Sequence, residues 1–203
     1  MTLNISEQAI AETIAFHGHS CPGLAIGIRV ADYVKQEFGE VEPHHLICVT
    51  ETDMCGVDAI QFLTGCTFGK GNLIHRDYGK AAFSFYQLAA KRAIRLVLRP
   101  DARGGTHPQL AELIAKSKNG ELTDKEKERI AELRGEMQER LMNLPLHDMF
   151  TVTSVDFKPP RGARILQSLT CEACGEQTME SRTRRFAGQT LCIPCYEQVE
   201  QKM

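Results

Sequence analysis

The sequence predicts an α+β protein, with a mixed or antiparallel sheet covered by helices and a small treble-clef zinc finger at its carboxyl end. Three observations lead to this class. Segments with helical spacing of apolar residues alternate with short runs rich in β-branched and aromatic residues. Three of those runs follow one another with only turns between them, which is typical of an antiparallel meander. Two Cys-x-x-Cys pairs then lie near the end of the sequence.

Length and composition favour one well-buried domain with a small appendage, and we place the core domain at residues 1–165 and the finger at residues 166–203. The chain has 203 residues, of which 42% are hydrophobic, and a formal net charge of -2. This balance argues against a chain that is basic throughout and coats nucleic acid. The first residues lack a secretory pattern and no apolar run is long enough to cross a bilayer, so we expect a cytoplasmic protein without a membrane span.

The first two predicted helices flank a turn that is dense in reactive side chains. Residues 4–15 carry apolar positions at helical spacing. An apolar run at 24–38 follows Pro22, which suits the first helical position because its missing N–H would be unpaired there. Gly39 ends that helix. Between the two helices, residues 16–23 read Phe-His-Gly-His-Ser-Cys-Pro-Gly.

A buried strand and a third helix follow. Residues 46–52 are dense in β-branched side chains, and Cys48 within them is expected to be a small apolar core residue. The third helix opens at Cys55 and closes at Gly65. The remaining predicted elements are strands at 73–75, 82–86, 92–98 and 151–157, and helices at 107–116 and 123–144.

Two cysteines are predicted at helix amino-termini, where the helix dipole and free amides favour thiolate over thiol. Cys21 precedes the second helix and Cys55 opens the third. His17 and His19 are separated by a glycine and can face the same space. We therefore expect one pocket to bring together the side chains of His17, His19, Cys21, Cys55 and Cys66.

A mixed set of imidazoles and thiolates suits zinc or another thiophilic transition metal, and three protein ligands would leave a position open for substrate. Asp58 is expected to orient an imidazole and Lys70 to bind an anionic substrate group. The candidate catalytic residues are therefore Cys21, Cys55, Lys70 and Asp58. Two alternatives remain at this point: a metal-free thiol-redox site that uses Cys21 and Cys55, and a turn in which these residues serve only backbone geometry and packing.

The strongest local motif is the pair of Cys-x-x-Cys sequences near the carboxyl end, at Cys171, Cys174, Cys192 and Cys195. Four thiolates close a tetrahedral shell around zinc and leave no position for substrate. Such a metal is structural, since it holds together a segment too small to fold by apolar burial alone. The order of knuckle, hairpin and second pair at a helix start is similar to treble-clef fingers.

With both halves in view, the chain resembles the FmdE-like family, which is named for a component of formylmethanofuran dehydrogenase. The resemblance lies in the motifs at residues 16–23, 55–61, 65–72 and 77–80, and with the intervening elements it covers residues 5–160. It implies an α+β core that is commonly dimeric, with a treble-clef finger in some members. It also implies a link to one-carbon chemistry, in which a molybdenum or tungsten enzyme reduces carbon dioxide onto a carrier amine. This chain lacks a dinucleotide motif and a ferredoxin-type cluster motif, which favours an accessory role.

Two classes of function follow from these patterns. The first is a metal-binding accessory or enzyme-like protein of one-carbon redox metabolism, with a homodimer and the formylmethanofuran dehydrogenase as candidate partners. The second is a non-catalytic binding module, whose finger recruits a protein or, less favoured, a nucleic acid through Arg182, Arg184 and Arg185. The simpler interpretation of those arginines is a solvated hairpin face.

Overall fold

The computed structural model describes residues 3–105, 107–120, 122–162 and 164–199. Its internal contacts divide the chain into two compact units, Met1–Gly162 and Ala163–Met203. The first unit combines a mixed sheet with helices and the second holds the four finger cysteines, so the predicted α+β class with an appended zinc finger is confirmed. Of the described residues, none belongs to a helix that is both long and apolar enough to cross a membrane.

The first unit is built on a five-stranded sheet in the order β2-β1-β3-β4-β5. β1 pairs in parallel with β2 and antiparallel with β3, and β3, β4 and β5 form the predicted meander. The parallel pair arises because a helix crosses over between β1 and β2. The strands are β1 (Leu46–Thr50), β2 (Leu73–His75), β3 (Ala82–Gln87), β4 (Arg92–Leu98) and β5 (Phe150–Ser154).

The helices of this unit are α1 (Glu7–His17), α2 (Pro22–Phe38), α3 (Gly56–Thr64), α4 (Pro108–Ser117), α5 (Asp124–Asn143) and α6 (Leu146–Met149). α2 is the central helix, because residues along most of its length are buried against the sheet, α3 and α5. Arg29 of α2 is fully buried and donates hydrogen bonds to the carbonyl oxygens of Met142 and Leu144. These bonds satisfy carbonyls at the end of α5, which would otherwise lack partners.

Three glycines allow α2 and α3 to approach more closely than side chains would permit. A methyl group at position 27 would lie 2.0 Å from the carbonyl oxygen of Gly56, and one at position 56 would lie 2.9 Å from the carbonyl oxygen of Gly23. Contacts this short do not occur between real carbon and oxygen atoms. Glycine is therefore required where the two helices meet, and the amino-terminal ends of both helices are drawn together.

The second unit contains two hairpins and a short helix. Its elements are β6 (Ser168–Thr170), β7 (Gln177–Met179), β8 (Thr183–Phe186), β9 (Gln189–Cys192) and α7 (Ile193–Gln198). The first cysteine pair lies in the turn between β6 and β7, and the second spans the end of β9 and the start of α7. The buried core of this unit is small and consists of Cys171, Leu191 and Cys192, with a few half-buried neighbours.

The α4–α5 pair has its own small core and a capping box that responds to pH. Glu126 accepts hydrogen bonds from Lys116 at 2.7 Å and from the backbone N–H of Thr123 at 2.8 Å. The Lys116 ammonium, followed by the Thr123 donors, lowers the pKa of Glu126 to about 2. A lowered folded-state pKa stabilises the protein above the unfolded value of about 4.5, and this contribution is lost as the pH falls toward about 2.

We therefore expect Glu126→Gln to lower the thermal unfolding temperature at pH 7, and the difference from wild type to shrink steadily below about pH 4.5. Glu128→Gln is the matched control, because Glu128 lies in the same helix and makes no hydrogen bond or ion pair with the described residues. Thermal unfolding followed by circular dichroism across this pH range checks the prediction. A difference that stays constant between pH 7 and pH 3 would contradict it.

Candidate metal centre

Two histidines reach the centre because α1 ends between them. His17 is the last residue of α1, and Gly18 ends the helix in the left-handed conformation with φ of 89°. Glycine adopts this conformation without steric cost, so the chain reverses sharply and His19 returns over His17. The ring centroids of His17 and His19 lie 4.5 Å apart.

Two cysteines reach the centre from the ends of α2 and α3. Cys21 caps α2, and its sulfur accepts a hydrogen bond from the backbone N–H of Leu24 at 3.3 Å. Cys55 occupies the cap position of α3. Because the glycines described above bring these two helix ends together, the ligand atoms of His17, His19, Cys21 and Cys55 all lie within 4.8 Å of one another.

Asp58 fixes the orientation of one imidazole. Its Oδ2 lies 2.7 Å from Nδ1 of His17, whose side chain is only 10% exposed. The carboxylate accepts from Nδ1–H, which leaves the lone pair of Nε2 directed toward the sulfur of Cys21 at 4.0 Å. A carboxylate behind a ligating histidine is the usual outer partner at metal sites. This contact is the one predicted for Asp58.

The donor set fits a thiophilic transition metal. Nitrogen and sulfur ligands of a tetrahedral zinc ion are separated by roughly 3.5–4 Å, as follows from bond lengths of about 2.0–2.3 Å. The 4.0 Å between His17 Nε2 and Cys21 Sγ, and the 4.8 Å limit for the whole cluster, lie close to that separation. Three members are half-buried and His19 is exposed. The residues present can therefore hold such an ion with small side-chain movements.

Burial raises the pKa of the Cys55 thiol, and the neighbouring Cys21 raises it further. Two sulfur atoms this close cannot both carry a negative charge without compensation. A bound cation would supply that compensation and release the thiol protons. The cluster is thus better matched to a metal dication than to a pair of free thiolates.

The structure places Cys66 and Lys70 elsewhere, which corrects two of the sequence-based assignments. Cys66 is fully buried in the core, where its thiol donates to the Leu46 carbonyl at 3.6 Å. Lys70 Nζ donates to the Gly65 carbonyl at 3.0 Å, at the carboxyl end of α3. Because Cys55 opens α3, the rise of the nine-residue helix separates these groups from the centre by about 15 Å.

The second cluster consists of the four finger cysteines Cys171, Cys174, Cys192 and Cys195, whose sulfurs also lie within 4.8 Å of one another. Backbone N–H groups of the two knuckles lower the pKa of Cys171 to about 6, whereas the neighbouring thiols, Cys192 first, raise the pKa of Cys195 to about 12. A shell of four sulfurs is the arrangement of a structural zinc site. The predicted finger site is therefore supported by both spacing and geometry.

Comparison with known proteins agrees with this architecture. The family model described as FmdE, molybdenum formylmethanofuran dehydrogenase operon, matches residues 16–151. The chain belongs to the FmdE family. A second model, the prokaryotic dksA/traR C4-type zinc finger, matches residues 164–201 of this FmdE-family chain. The first match begins at Phe16, one residue before the first histidine of the centre.

Two relatives illustrate the similarity. A probable S-adenosyl-L-methionine-binding protein of Archaeoglobus fulgidus is 28% identical over 188 residues, which cover 89% of this FmdE-family chain and 50% of the relative. The chain thus spans about half the length of that relative. The crystal structure of a tungsten formylmethanofuran dehydrogenase FmdE-like protein from Syntrophus aciditrophicus is similar in fold, with a TM-score of 0.61, 24% identity and complete coverage of both chains.

The positions that sequence reasoning missed are the glycines that assemble the centre. Gly23 and Gly27 lie one helical turn apart on the same face of α2, and Gly56 faces them from α3. The Gly-x-x-x-Gly spacing at 23–27, just after the His/Cys turn, was the available signal. Small residues at this spacing permit close helix approach, although they do not identify the partner helix.

Proposed function

We propose that the core of this FmdE-family chain is a metal-dependent domain of one-carbon redox metabolism, acting as an accessory to a formylmethanofuran dehydrogenase or as a stand-alone enzyme-like protein. The observation that carries this proposal is the convergence of His17, His19, Cys21 and Cys55 from three elements, with Asp58 behind His17. The family supplies the link to one-carbon chemistry. The finger has a structural role because its four sulfurs form a closed shell.

The four side chains have different parts in this proposal. His17, Cys21 and Cys55 are half-buried and held by helix ends, so they form the permanent ligand set. His19 is exposed and follows the flexible geometry of a glycine, so it is the ligand that gives way to substrate. A bound zinc or similar ion supplies Lewis acidity and one exchangeable position. Asp58 keeps Nε2 of His17 available by holding the proton on Nδ1.

A small cavity beside the centre indicates where a substrate group would lie. Its volume is about 20 Å³, enough for a single water-sized group, and its lining includes Gly23, Met54, Gly56 and Arg103. Met54 and Gly56 flank Cys55 in the sequence. Arg103 makes no hydrogen bond or ion pair with the residues that the structure describes. We therefore assign to Arg103 the role of binding an anionic substrate group that sequence analysis had given to Lys70.

Metal binding to the finger-disabled chain tests the proposal. Cys171→Ser/Cys174→Ser removes the finger site, and this variant, prepared anaerobically, is expected to retain one equivalent of metal. Adding Cys55→Ser should abolish that equivalent, whereas adding His19→Ala should leave the metal bound but more weakly. Inductively coupled plasma mass spectrometry counts the metal. A finger-disabled protein that binds no zinc, cobalt or iron would refute the proposal.

Asp58→Asn provides a more specific prediction for the same site. Loss of the carboxylate behind His17 is expected to weaken core metal affinity by about 10–100-fold, because outer partners of ligating histidines have effects of that size. Asp53→Asn is the matched control, as Asp53 is exposed, lies near Cys55 and has no partner among the described residues. Competition with a chromophoric chelator measures the affinities. Equal affinities for the two variants would contradict the role of Asp58.

A second candidate ligand comes from the Archaeoglobus relative, which is named as a probable S-adenosyl-L-methionine-binding protein. Because 89% of this chain aligns with it, S-adenosyl-L-methionine is a reasonable ligand to test by isothermal titration calorimetry. We also propose a homodimer and a protein partner for the finger. Sedimentation analysis and capture by the chain lacking residues 168–203 test these proposals separately from metal binding.

A further inference from the structure

We propose that the metal-free centre is a hydroperoxide-reactive thiol site, in which Cys21 is the attacking sulfur and Cys55 the resolving one. This activity goes beyond the metal-dependent function, and it uses the same residues in the absence of metal. Three features of the structure support it: the contacts of Cys21, the proximity of a second accessible thiol, and an open space between the two sulfurs.

Cys21, His17 and Asp58 form a linear series of contacts. Asp58 Oδ2 lies 2.7 Å from His17 Nδ1, and His17 Nε2 lies 4.0 Å from Cys21 Sγ. The carboxylate fixes the tautomer, so Nε2 can accept the thiol proton. The backbone N–H of Leu24 donates to the same sulfur at 3.3 Å and stabilises its negative charge. A nucleophile, a base and a group that orients the base define an activated thiol.

Cys55 supplies the second sulfur. Its Sγ lies within 4.8 Å of Cys21 Sγ, and a rotation of each side chain suffices to bring sulfurs from that separation to a bond of about 2.0 Å. Both thiols are half-buried, which leaves them accessible to a small oxidant. By contrast, the remaining core thiols, Cys48 and Cys66, are fully buried and are not placed to react.

Gly23 keeps the space between the two sulfurs open. A methyl group at this position would lie 3.6 Å from Cys55 Sγ and 3.8 Å from Cys21 Sγ. Any larger side chain would stand between the thiols and the approaching peroxide. The glycine therefore provides both close helix packing and access to the reacting atoms.

The reaction balances in two steps. The Cys21 thiolate attacks one oxygen of a hydroperoxide, so that a sulfur–oxygen bond forms and the oxygen–oxygen bond breaks, and the leaving oxygen takes the proton held by His17. Cys55 then attacks the sulfenic sulfur of Cys21, forming the disulfide and releasing water. Two thiols are oxidised by two electrons and the hydroperoxide is reduced to an alcohol or water. A dithiol reductant restores both thiols by exchange.

This chemistry makes metal binding and disulfide formation mutually exclusive. Cys21 and Cys55 are two of the proposed metal ligands, and neither can supply a thiolate while they are bonded to each other. Oxidation of the metal-free protein should therefore prevent metal loading of the core, and reduction should restore it. The core would thus report the redox state of its surroundings through its metal content.

Peroxide treatment of the full chain tests the proposal. The protein is stripped of metal anaerobically, treated with one equivalent of hydrogen peroxide, digested and mapped by mass spectrometry. We expect a Cys21–Cys55 cross-link that dithiothreitol reverses. In Cys55→Ser, dimedone should trap a sulfenic acid on Cys21, whereas Cys21→Ser should give no label on Cys55. Disulfides confined to the finger, or dimedone on Cys55 instead of Cys21, would overturn the assignment.

The role of His17 is tested by rate. His17→Ala should slow oxidation of Cys21 by about tenfold or more, as expected for loss of a positioned base, and added imidazole should restore part of the rate. Cys48→Ser is the matched control and should react at the wild-type rate. An unchanged rate in His17→Ala would refute the proton transfer. Because every measurement uses metal-free protein, these outcomes are independent of whether the core binds metal.

Discussion

Replacing Gly27 with alanine is expected to abolish the core metal centre and to destabilise the first unit by on the order of 3 kcal/mol or more. The added methyl group would lie 2.0 Å from the carbonyl oxygen of Gly56. That atom belongs to the backbone, so no change of side-chain rotamer can relieve the overlap. α2 and α3 must separate, and Cys55 then moves away from Cys21 and His17.

Gly135→Ala is the matched control, because Gly135 lies within α5 and a methyl group there meets nothing within 4 Å. Alanine in an exposed helix interior should stabilise the protein by about 0.5–1 kcal/mol. Denaturant unfolding and metal analysis of the two variants provide the comparison. Equal stability and equal metal content in Gly27→Ala and Gly135→Ala would show that the close helix approach does not assemble the centre.

Replacing Cys192 with serine is expected to unfold the second unit while the first unit stays folded. The described part of this unit has only three buried side chains in its core, and two of them are cysteines. Apolar burial on this scale cannot offset the conformational entropy of about 40 residues. Structural zinc supplies about 10–16 kcal/mol in small fingers, so loss of one sulfur ligand removes the main source of stability.

Amide hydrogen exchange measured by mass spectrometry distinguishes the two units. In Cys192→Ser we expect residues 168–199 to exchange at the rate of an unfolded chain, and β1, β3 and β4 to keep their protection. Gln189→Ser is the matched control, since Gln189 is an exposed residue of the same strand. Retained protection of the finger in Cys192→Ser, or its loss in the control, would contradict a zinc-dependent fold.

Much of the centre could be predicted because its chemistry is local in sequence. Pro22 fixes the start of α2, so Cys21 had to be a cap residue, and the structure shows its sulfur accepting from Leu24. The left-handed Gly18 places His17 and His19 on one side of the turn. Asp58 follows Cys55 by three residues, which puts both near the same end of α3.

The assignments that needed three-dimensional information were less successful. Cys66 and Lys70 belong to a motif close to Cys55 in sequence, yet a nine-residue helix separates them from it in space. Their side chains instead satisfy carbonyl groups of Leu46 and Gly65. Arg103, which lines the cavity beside the centre, comes from a loop almost fifty residues later. No local pattern connects that loop with the centre, because the sheet and α2 bring them together.

The most direct test of the metal centre is element-resolved anomalous scattering from a crystal of the full chain grown anaerobically with its metals. We predict two metal positions, one among the four finger sulfurs and one bonded to Cys21 Sγ, Cys55 Sγ and His17 Nε2 at about 2.0–2.3 Å. An anomalous peak in the finger alone, with ordered and unbonded side chains in the core cluster, would contradict the account.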